Sequence, residues 1–516
     1  MKLTLMNCVI VLAAIAIPGL SAAATEASTD SALAQRCAAV SSADFSKVPE
    51  APTQILQTRV VEAKDKVPAY CVVQGAVTSS VGFELKLPAS NWNGKFFEAG
   101  CGNWCGVIYP KACDEPLRRG YACIFTDSGH KAKADDVHMT DASWAYNNLQ
   151  AKVDWGGRAS HVTAVIGKAI TETYYGKAPS KSYFMGCSYG GHQALVLAQR
   201  FPWDFDGIVG GGAPNSISEL MQQNAWALTN AFSNWKPVFT EADIKVLHDD
   251  VLARCDMDDG VKDRIISNPG ACKVHPDALV CKPGKTTQCI SQQAADVAKR
   301  MYSGPTTSTG QRLVTGGWTP GSEVDWRIVY KPDGTSLAAL APNYFGYMAR
   351  IPDIGPGWTV RDYDFDRDYK RNDVMETIYS AANPDLRRFK AAGGKLIEYV
   401  GWSDLGTLPA SAIDYYKTTE KTMGGRAATE DFFRMFMIPA ARHCRGGEGP
   451  YEVDFLSYIE AWVEKGKAPD VMIGSHPDGS GGVTFTRPLY PYPKHAKYKG
   501  SGDTKDAKNF GPVTPR

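Results

Sequence analysis

The sequence predicts a doubly wound α/β core, built on a mostly parallel sheet and interrupted by a large inserted lid domain. Three observations carry this expectation. Short apolar runs alternate with helical patterns towards both ends of the chain, as strands and helices do in a parallel sheet covered on both faces. One such run, Lys181–Gly186, passes directly into a glycine-flanked serine, Gly186-Cys187-Ser188-Tyr189-Gly190-Gly191. Between residues 215 and 384 the alternation stops, and glycines, prolines and four cysteines take its place.

Taken in chain order, the first 24 residues read as a secretory signal peptide. Lys2 precedes an apolar run from Met6 to Ile17, then Pro18-Gly19 and the small residues Ala22–Ala24. That run is too short to span a membrane, and no later stretch approaches the necessary length. Residues 25–214 form the first part of the core. Its strands are Lys95–Gly100, which leads into Cys101-Gly102-Asn103-Trp104-Cys105, then Tyr121–Gly129, Lys181–Gly186 and Phe205–Pro214, with a helical pattern over Trp155–Gly176. Residues 215–384 are the inserted lid. Its Trp226, Trp235, Trp318, Trp326 and Trp358 either wall a pocket for a flat ring or form the lid's own small core. Residues 385–516 complete the core, with strands over Gly394–Asp404 and Phe432–Cys444 and a helix over Asp454–Gly466.

Composition narrows the function classes. The 516 residues are 44% hydrophobic and carry a net charge of +1, which gives no electrostatic case for a nucleic-acid or membrane partner. Thirteen cysteines become twelve once Cys8 leaves with the signal, an even number that suits a disulfide framework in an exported protein. Zinc competes at Cys101–Cys105, but no second ligand pair of suitable spacing lies nearby.

The serine turn contains G-x-S-x-G, in which the glycines relieve crowding and hold the hydroxyl out above the sheet. A serine needs a base to become a nucleophile. With the chain order serine, acid, histidine, the base falls late, at His443, His476 or His495. Only His443 directly follows a predicted core strand, while His192, on the helix leaving the serine turn, reads as structural. For the acid, Asp404 lies just past an apolar strand and is preferred to Asp414, which falls in a helix. Cysteines adjoin both key residues: Cys187 precedes Ser188 and Cys444 follows His443. Chain neighbours stand about 3.8 Å apart and a disulfide needs Cα atoms roughly 4.4–6.8 Å apart, so a hydrogen-bonded Ser188–His443 pair brings Cys187 and Cys444 within bridging range. Beside such a partner in an oxidising compartment, Cys187 makes a poor thiolate nucleophile. Backbone N–H groups for an oxyanion are expected from Tyr189, after the nucleophile, and from Gly102, preferred to Cys101; the alternative for those early glycines is a plain tight turn.

With Cys187-Ser188, a later Asp404 and His443-Cys444, the chain resembles the tannase and feruloyl esterase family of α/β-hydrolases. That family includes hydrolases of mono(2-hydroxyethyl) terephthalate. Two departures are visible: Val400 stands where the family often has histidine before Gly-Trp, and no cysteine follows Cys444. The resemblance implies bridges Cys255–Cys272, Cys281–Cys289 and Cys37–Cys71, and leaves Cys101, Cys105, Cys113 and Cys123 unassigned. On residue types alone, Asp256, Asp259 and Asp263 around Gly260 suit either calcium or a solvated acidic turn. The resemblance implies a structural Ca²⁺ in the lid, held by those three side chains and the Val261 and Ile265 carbonyls. It further implies a secreted or periplasmic serine esterase acting on a small aromatic ester, with the acyl group open among galloyl, feruloyl, caffeoyl and terephthaloyl. The rival readings are a serine peptidase of the prolyl type and a non-catalytic secreted binding protein.

Overall fold

The structure, a computed structural model, describes residues 32–233, 236–284, 287–330, 337–371 and 373–515. The expected signal peptide, with Cys8, and Trp235 lie outside these residues.

Nine strands form the main sheet: β1 (Thr53–Val61), β2 (Tyr70–Val77), β3 (Val81–Pro88), β4 (Lys95–Ala99), β5 (Ala122–Thr126), β6 (Lys181–Cys187), β7 (Gly207–Gly211), β8 (Lys395–Gly401) and β9 (Phe433–Ile438). Their spatial order is β1-β2-β3-β5-β4-β6-β7-β8-β9. From β5 onward every pairing is parallel, while β1, β2, β3 and β5 pair antiparallel. The pattern of burial follows from this. β5 and β7 are buried at every residue, as strands covered on both faces must be, whereas the edge strand β1 is half exposed and carries polar side chains.

Helix α1 (Ala159–Tyr175) and α2 (Tyr189–Arg200) cover one face through Ile166, Ile170, Leu195 and Leu197. The helical pattern expected from Trp155 begins four residues later as a regular helix. Gly157, with φ of 143°, breaks the ladder, and residues 154–158 form a wider turn that aims Trp155 inward. Between β7 and β8 the chain builds the lid from α3 (Ile217–Asn230), α4 (Glu241–Cys255), α5 (Gln292–Ser303) and α6 (Leu337–Tyr347). A capping box at Thr240 and Asp243 starts α4. Trp318 and Trp326 are buried against each other, ring centroids 5.5 Å apart. The second core part adds α7 (Pro409–Thr422) and α8 (Phe455–Lys465), which packs Ile459 and Trp462 on the opposite sheet face. Two hairpins close the chain, β10 (Met472–Pro477) with β11 (Val483–Leu489) and β12 (His495–Tyr498) with β13 (Phe510–Val513). Neither these hairpins nor β1–β3 are among the elements that the sequence predicts. Among the described residues no helix is long and apolar enough to cross a membrane.

Register brings the strand ends into line. Cys187 at the end of β6 pairs with Gly211 at the end of β7, and Gly401 at the end of β8 pairs with Ile438 at the end of β9. The loops after these strands therefore emerge along one edge, the side of a parallel sheet where ligand sites form.

Candidate active site

Ser188 leaves β6 with φ of 64° and ψ of −123°, a backbone region that costs energy for any residue but glycine. Its N–H donates to the Gly211 carbonyl at 2.9 Å, and its own carbonyl accepts from the His192 N–H at 3.0 Å. Close approach explains the flanking glycines. A Cβ on Gly186 would lie 2.7 Å from the Gly190 backbone, and one on Gly190 would lie 3.0 Å from the Cys101 carbonyl oxygen. As the first residue of α2, Tyr189 has no intrahelical acceptor for its N–H.

Asp404 and His443 meet behind this turn. Asp404 is buried, and its Oδ1 accepts from the N–H groups of Gly406 and Thr407 at 2.8 and 2.9 Å. His443 Nδ1 stands 2.9 and 3.0 Å from the two Asp404 oxygens. Their loops are joined further by Trp402 N–H to the Ile438 carbonyl and Ser403 N–H to the Ala441 carbonyl, each 2.9 Å. Burial pulls the His443 pKa down, and the Asp404 carboxylate more than offsets it, leaving the imidazole above its ordinary value. Cys187 and Cys444 are bridged, Cα atoms 5.8 Å apart and 257 positions apart in the chain.

The other acid and base candidates lie elsewhere. Asp414 is exposed on α7. His192 is fully buried with Nδ1 2.9 Å from the Pro214 carbonyl, and His476 sits on β10 with Nδ1 2.9 Å from the Gly449 carbonyl. His495 belongs to the β12–β13 hairpin.

Ser188 and His443 line one cavity of about 300 Å³. Its aromatic walls are Trp104, from the loop after β4, and Trp155, which stacks on Tyr189 at 4.5 Å between centroids and meets Trp104 edge-on at 5.5 Å. The lid contributes Ile217, Leu220, Met221 and Leu340, and Asp325 pairs with Arg442 at 2.7 Å on the same wall. Trp226, Trp318, Trp326 and Trp358 are not among the lining residues; they pack against lid rings instead, Trp226 on Phe365, Trp326 on Phe239 and Trp318, and Trp358 on Phe345. Sequence reasoning missed Trp155 as a wall. The signal was the Gly156-Gly157 pair after it, which interrupts the helix and turns the indole inward.

In the loop after β4, the Cys101 N–H is taken by Gln193 Oε1 at 3.0 Å, which removes it as an oxyanion donor. Among the described residues the Gly102 N–H has no protein acceptor. Asn103 and Trp104 face the main cavity, while Cys101 and Gly102 line a second one of about 180 Å³ behind the loop.

Six disulfides are formed: Cys37–Cys71, Cys101–Cys105, Cys113–Cys123, Cys187–Cys444, Cys255–Cys272 and Cys281–Cys289. The loop closed by Cys255–Cys272 holds Asp256, Asp259 and Asp263. Asp256 and Asp259 are buried. Burial, and secondarily the charge of Asp263, raises both, Asp259 to about 6. As they stand, Asp259 accepts from Val261 N–H at 3.0 Å and Ser267 Oγ–H at 2.7 Å, and Asp263 pairs with Arg487. Among the described residues no three acidic, histidine or cysteine side chains converge on one point for a metal. The donor chemistry nonetheless fits calcium: hard oxygens, two of them on the buried carboxylates of Asp256 and Asp259, each of which feels repulsion from Asp263 that a divalent cation would relieve.

The profile of the family described as Tannase and feruloyl esterase matches residues 65–513. The mono(2-hydroxyethyl) terephthalate hydrolase of Piscinibacter sakaiensis is 32% identical, with 87% of this chain and 85% of that protein covered. A probable feruloyl esterase of Arthroderma benhamiae is 32% identical over 83% of this chain and 81% of its own. The solved structure of feruloyl esterase B from Aspergillus oryzae superposes with a TM-score of 0.81 at 26% identity, over 92% of this chain and 99% of that one. The chain therefore belongs to the tannase and feruloyl esterase family, a carboxylic ester hydrolase with an α/β-hydrolase core.

Proposed function

We propose that the protein is an exported serine esterase acting on esters of aromatic carboxylic acids. The observation that carries this reading is the cavity itself: Ser188 and His443 face a space walled by Trp104 and Trp155, with Asp404 2.9 Å behind the imidazole. In this reading Ser188 Oγ attacks the ester carbonyl carbon as His443 Nε2 takes its proton. The tetrahedral oxyanion is held by the Tyr189 and Gly102 N–H groups. Collapse breaks the C–O bond, His443 returns the proton to the leaving alcohol, and water releases the acid from the acyl-serine by the same route. Asp404 keeps the imidazole in the productive tautomer. Six disulfides support an oxidising compartment. Ca²⁺, held by Asp256, Asp259, Asp263 and the Val261 and Ile265 carbonyls, would serve structure rather than chemistry.

In a second reading the acyl group carries its own carboxylate, as a terephthalate monoester does, and that carboxylate replaces Asp325 as the partner of Arg442 on the cavity wall. Hydrolysis of methyl ferulate, methyl gallate, chlorogenate, mono(2-hydroxyethyl) terephthalate and a prolyl anilide by the mature protein and by Ser188→Ala tests these readings together. The expected result is turnover of an aryl ester that the variant abolishes. Turnover surviving in Ser188→Ala, or cleavage of the anilide alone, overturns the proposal.

A further inference from the structure

We propose that the Cys101–Cys105 bridge is a positioning device for catalysis, holding the Gly102 N–H where the oxyanion develops; this rests on the serine-esterase reading above. The loop from Gly100 to Gly106 has no regular structure and lies between two cavities, about 300 and 180 Å³. Its Cys101, Trp104 and Cys105 side chains are buried, Trp104 against Trp155, whereas Gly102 between them has no side chain to pack. A Cβ on Gly102 would meet only one atom within 4 Å, the flexible Met139 Cε at 3.9 Å.

The loop's hydrogen bonds leave the Gly102 N–H unused. Gly100 N–H donates to the Met185 carbonyl at 2.9 Å, Cys101 N–H to Gln193 Oε1 at 3.0 Å and Trp104 N–H to the Met139 carbonyl at 3.0 Å. The Cys105 N–H bond to the Gly102 carbonyl at 2.9 Å and the Asn103 Nδ2–H bond to the His138 carbonyl at 2.8 Å hold the turn itself, while the Gly102 N–H stays without a protein acceptor among the described residues. Asn103 and Cys105 are held at φ of 45° and 64°, in the left-handed region. Non-glycine residues stay there only where the surroundings over-determine the backbone. The disulfide, with Cα atoms 5.7 Å apart, adds a covalent constraint to the Cys105–Gly102 hydrogen bond across Gly102 itself. It joins positions only four apart in sequence, whereas Cys187–Cys444 spans 257. So short a loop removes little entropy from the unfolded chain, and the effect of the bridge is local. Position matters here because the loop rests on the serine turn: a Cβ on Gly100 would lie 2.8 Å from the Gly186 and Gly190 Cα atoms.

The test compares wild type, Ser188→Ala, the double variant Cys101→Ser/Cys105→Ser and, as control, Cys113→Ser/Cys123→Ser. Each is assayed for kcat and KM on p-nitrophenyl butyrate, for ferulic acid binding and for Tm. Losing one oxyanion donor costs about 10²–10³-fold in kcat, so a loosened donor is expected to cost roughly 10–100-fold. KM and ferulic acid affinity should stay within about twofold, since a ground-state ligand does not use the oxyanion donors. The control should keep wild-type kcat. A silent Ser188→Ala with full kcat in Cys101→Ser/Cys105→Ser overturns this inference alone. An active Ser188→Ala overturns the serine-esterase reading on which it rests. Should the double variant not fold, graded reduction of native enzyme with alkylation mapping decides. Loss of kcat that tracks labelling of Cys101 and Cys105 supports the proposal, and retained kcat with both labelled overturns it.

Discussion

His443 is held between two opposing influences: burial, which favours the neutral ring, and Asp404, which favours the cation and prevails. A general base must be neutral to accept the serine proton, so kcat/KM should fall as pH drops through a pKa above the ordinary imidazole value. Replacing Asp404 by Asn removes the raising influence and leaves burial. The acidic limb of the kcat/KM profile should then move to lower pH, while the rate on the plateau falls by roughly three to four orders of magnitude because the tautomer is no longer held. A pH–rate profile of Asp404→Asn checks both parts, and a limb that does not move would count against His443 as the titrating base. At this scale Ser188, Asp404 and His443 were legible in the sequence because each follows a strand that could be read from its apolar run. Trp104 and Trp155 were not, since their pairing depends on loops 51 positions apart meeting in space.

Strands β4 and β8 each carry a fully buried glutamate, Glu98 and Glu398, with no hydrogen-bond partner among the described residues. Burial holds Glu398 up at about 8, against an ordinary value of 4.5. The folded state therefore keeps a proton that the unfolded chain releases once pH passes 4.5. Stability from this residue is intact below that value, declines by up to about 1.4 kcal/mol per pH unit as pH rises towards 8, and levels off at higher pH. Glu398→Gln cannot titrate and removes the slope. Urea unfolding at pH 5, 6.5 and 8 should show a stabilising difference that grows with pH, and a difference independent of pH would refute the assignment. The parallel strands were legible because burial on both faces makes them continuous apolar runs, and one glutamate does not hide the pattern in Lys395–Gly401. Strand β1 was not, because its half-exposed face mixes Gln, Thr and Arg into the run, and only pairing with β2 identifies it.

On the scale of the whole molecule, the lid is an insertion between β7 and β8 that the chain secures at several points. Cys187–Cys444 closes a loop that contains the lid entirely, and the buried Lys152–Asp353 pair joins core to lid. The acidic loop adds a contact that its sequence did not reveal. Val261 packs with Ala496 and Phe510 of the last hairpin, and Asp263 pairs with Arg487 of β11. The proposed calcium would thus brace the lid against the C-terminus of the core. Without a cation, Asp259 resists ionising until about pH 6, so the stability of the metal-free protein should decline as pH rises through that range. Calcium binds the ionised carboxylates and reverses the trend, so its stabilisation should be small at pH 5 and large at pH 8. At one hundred times the dissociation constant the gain is about 2.7 kcal/mol, enough to resolve as a rise in Tm. Asp259→Asn should lose that rise, and between pH 5 and pH 6 its metal-free form should lose less stability than the metal-free wild type, only the Glu398 slope remaining. Thermal unfolding at pH 5, 6 and 8, in calcium and in EDTA, measures this directly. Coincident curves at pH 8 would show that the acidic loop stands on Arg487, Ser267 and its own amides alone.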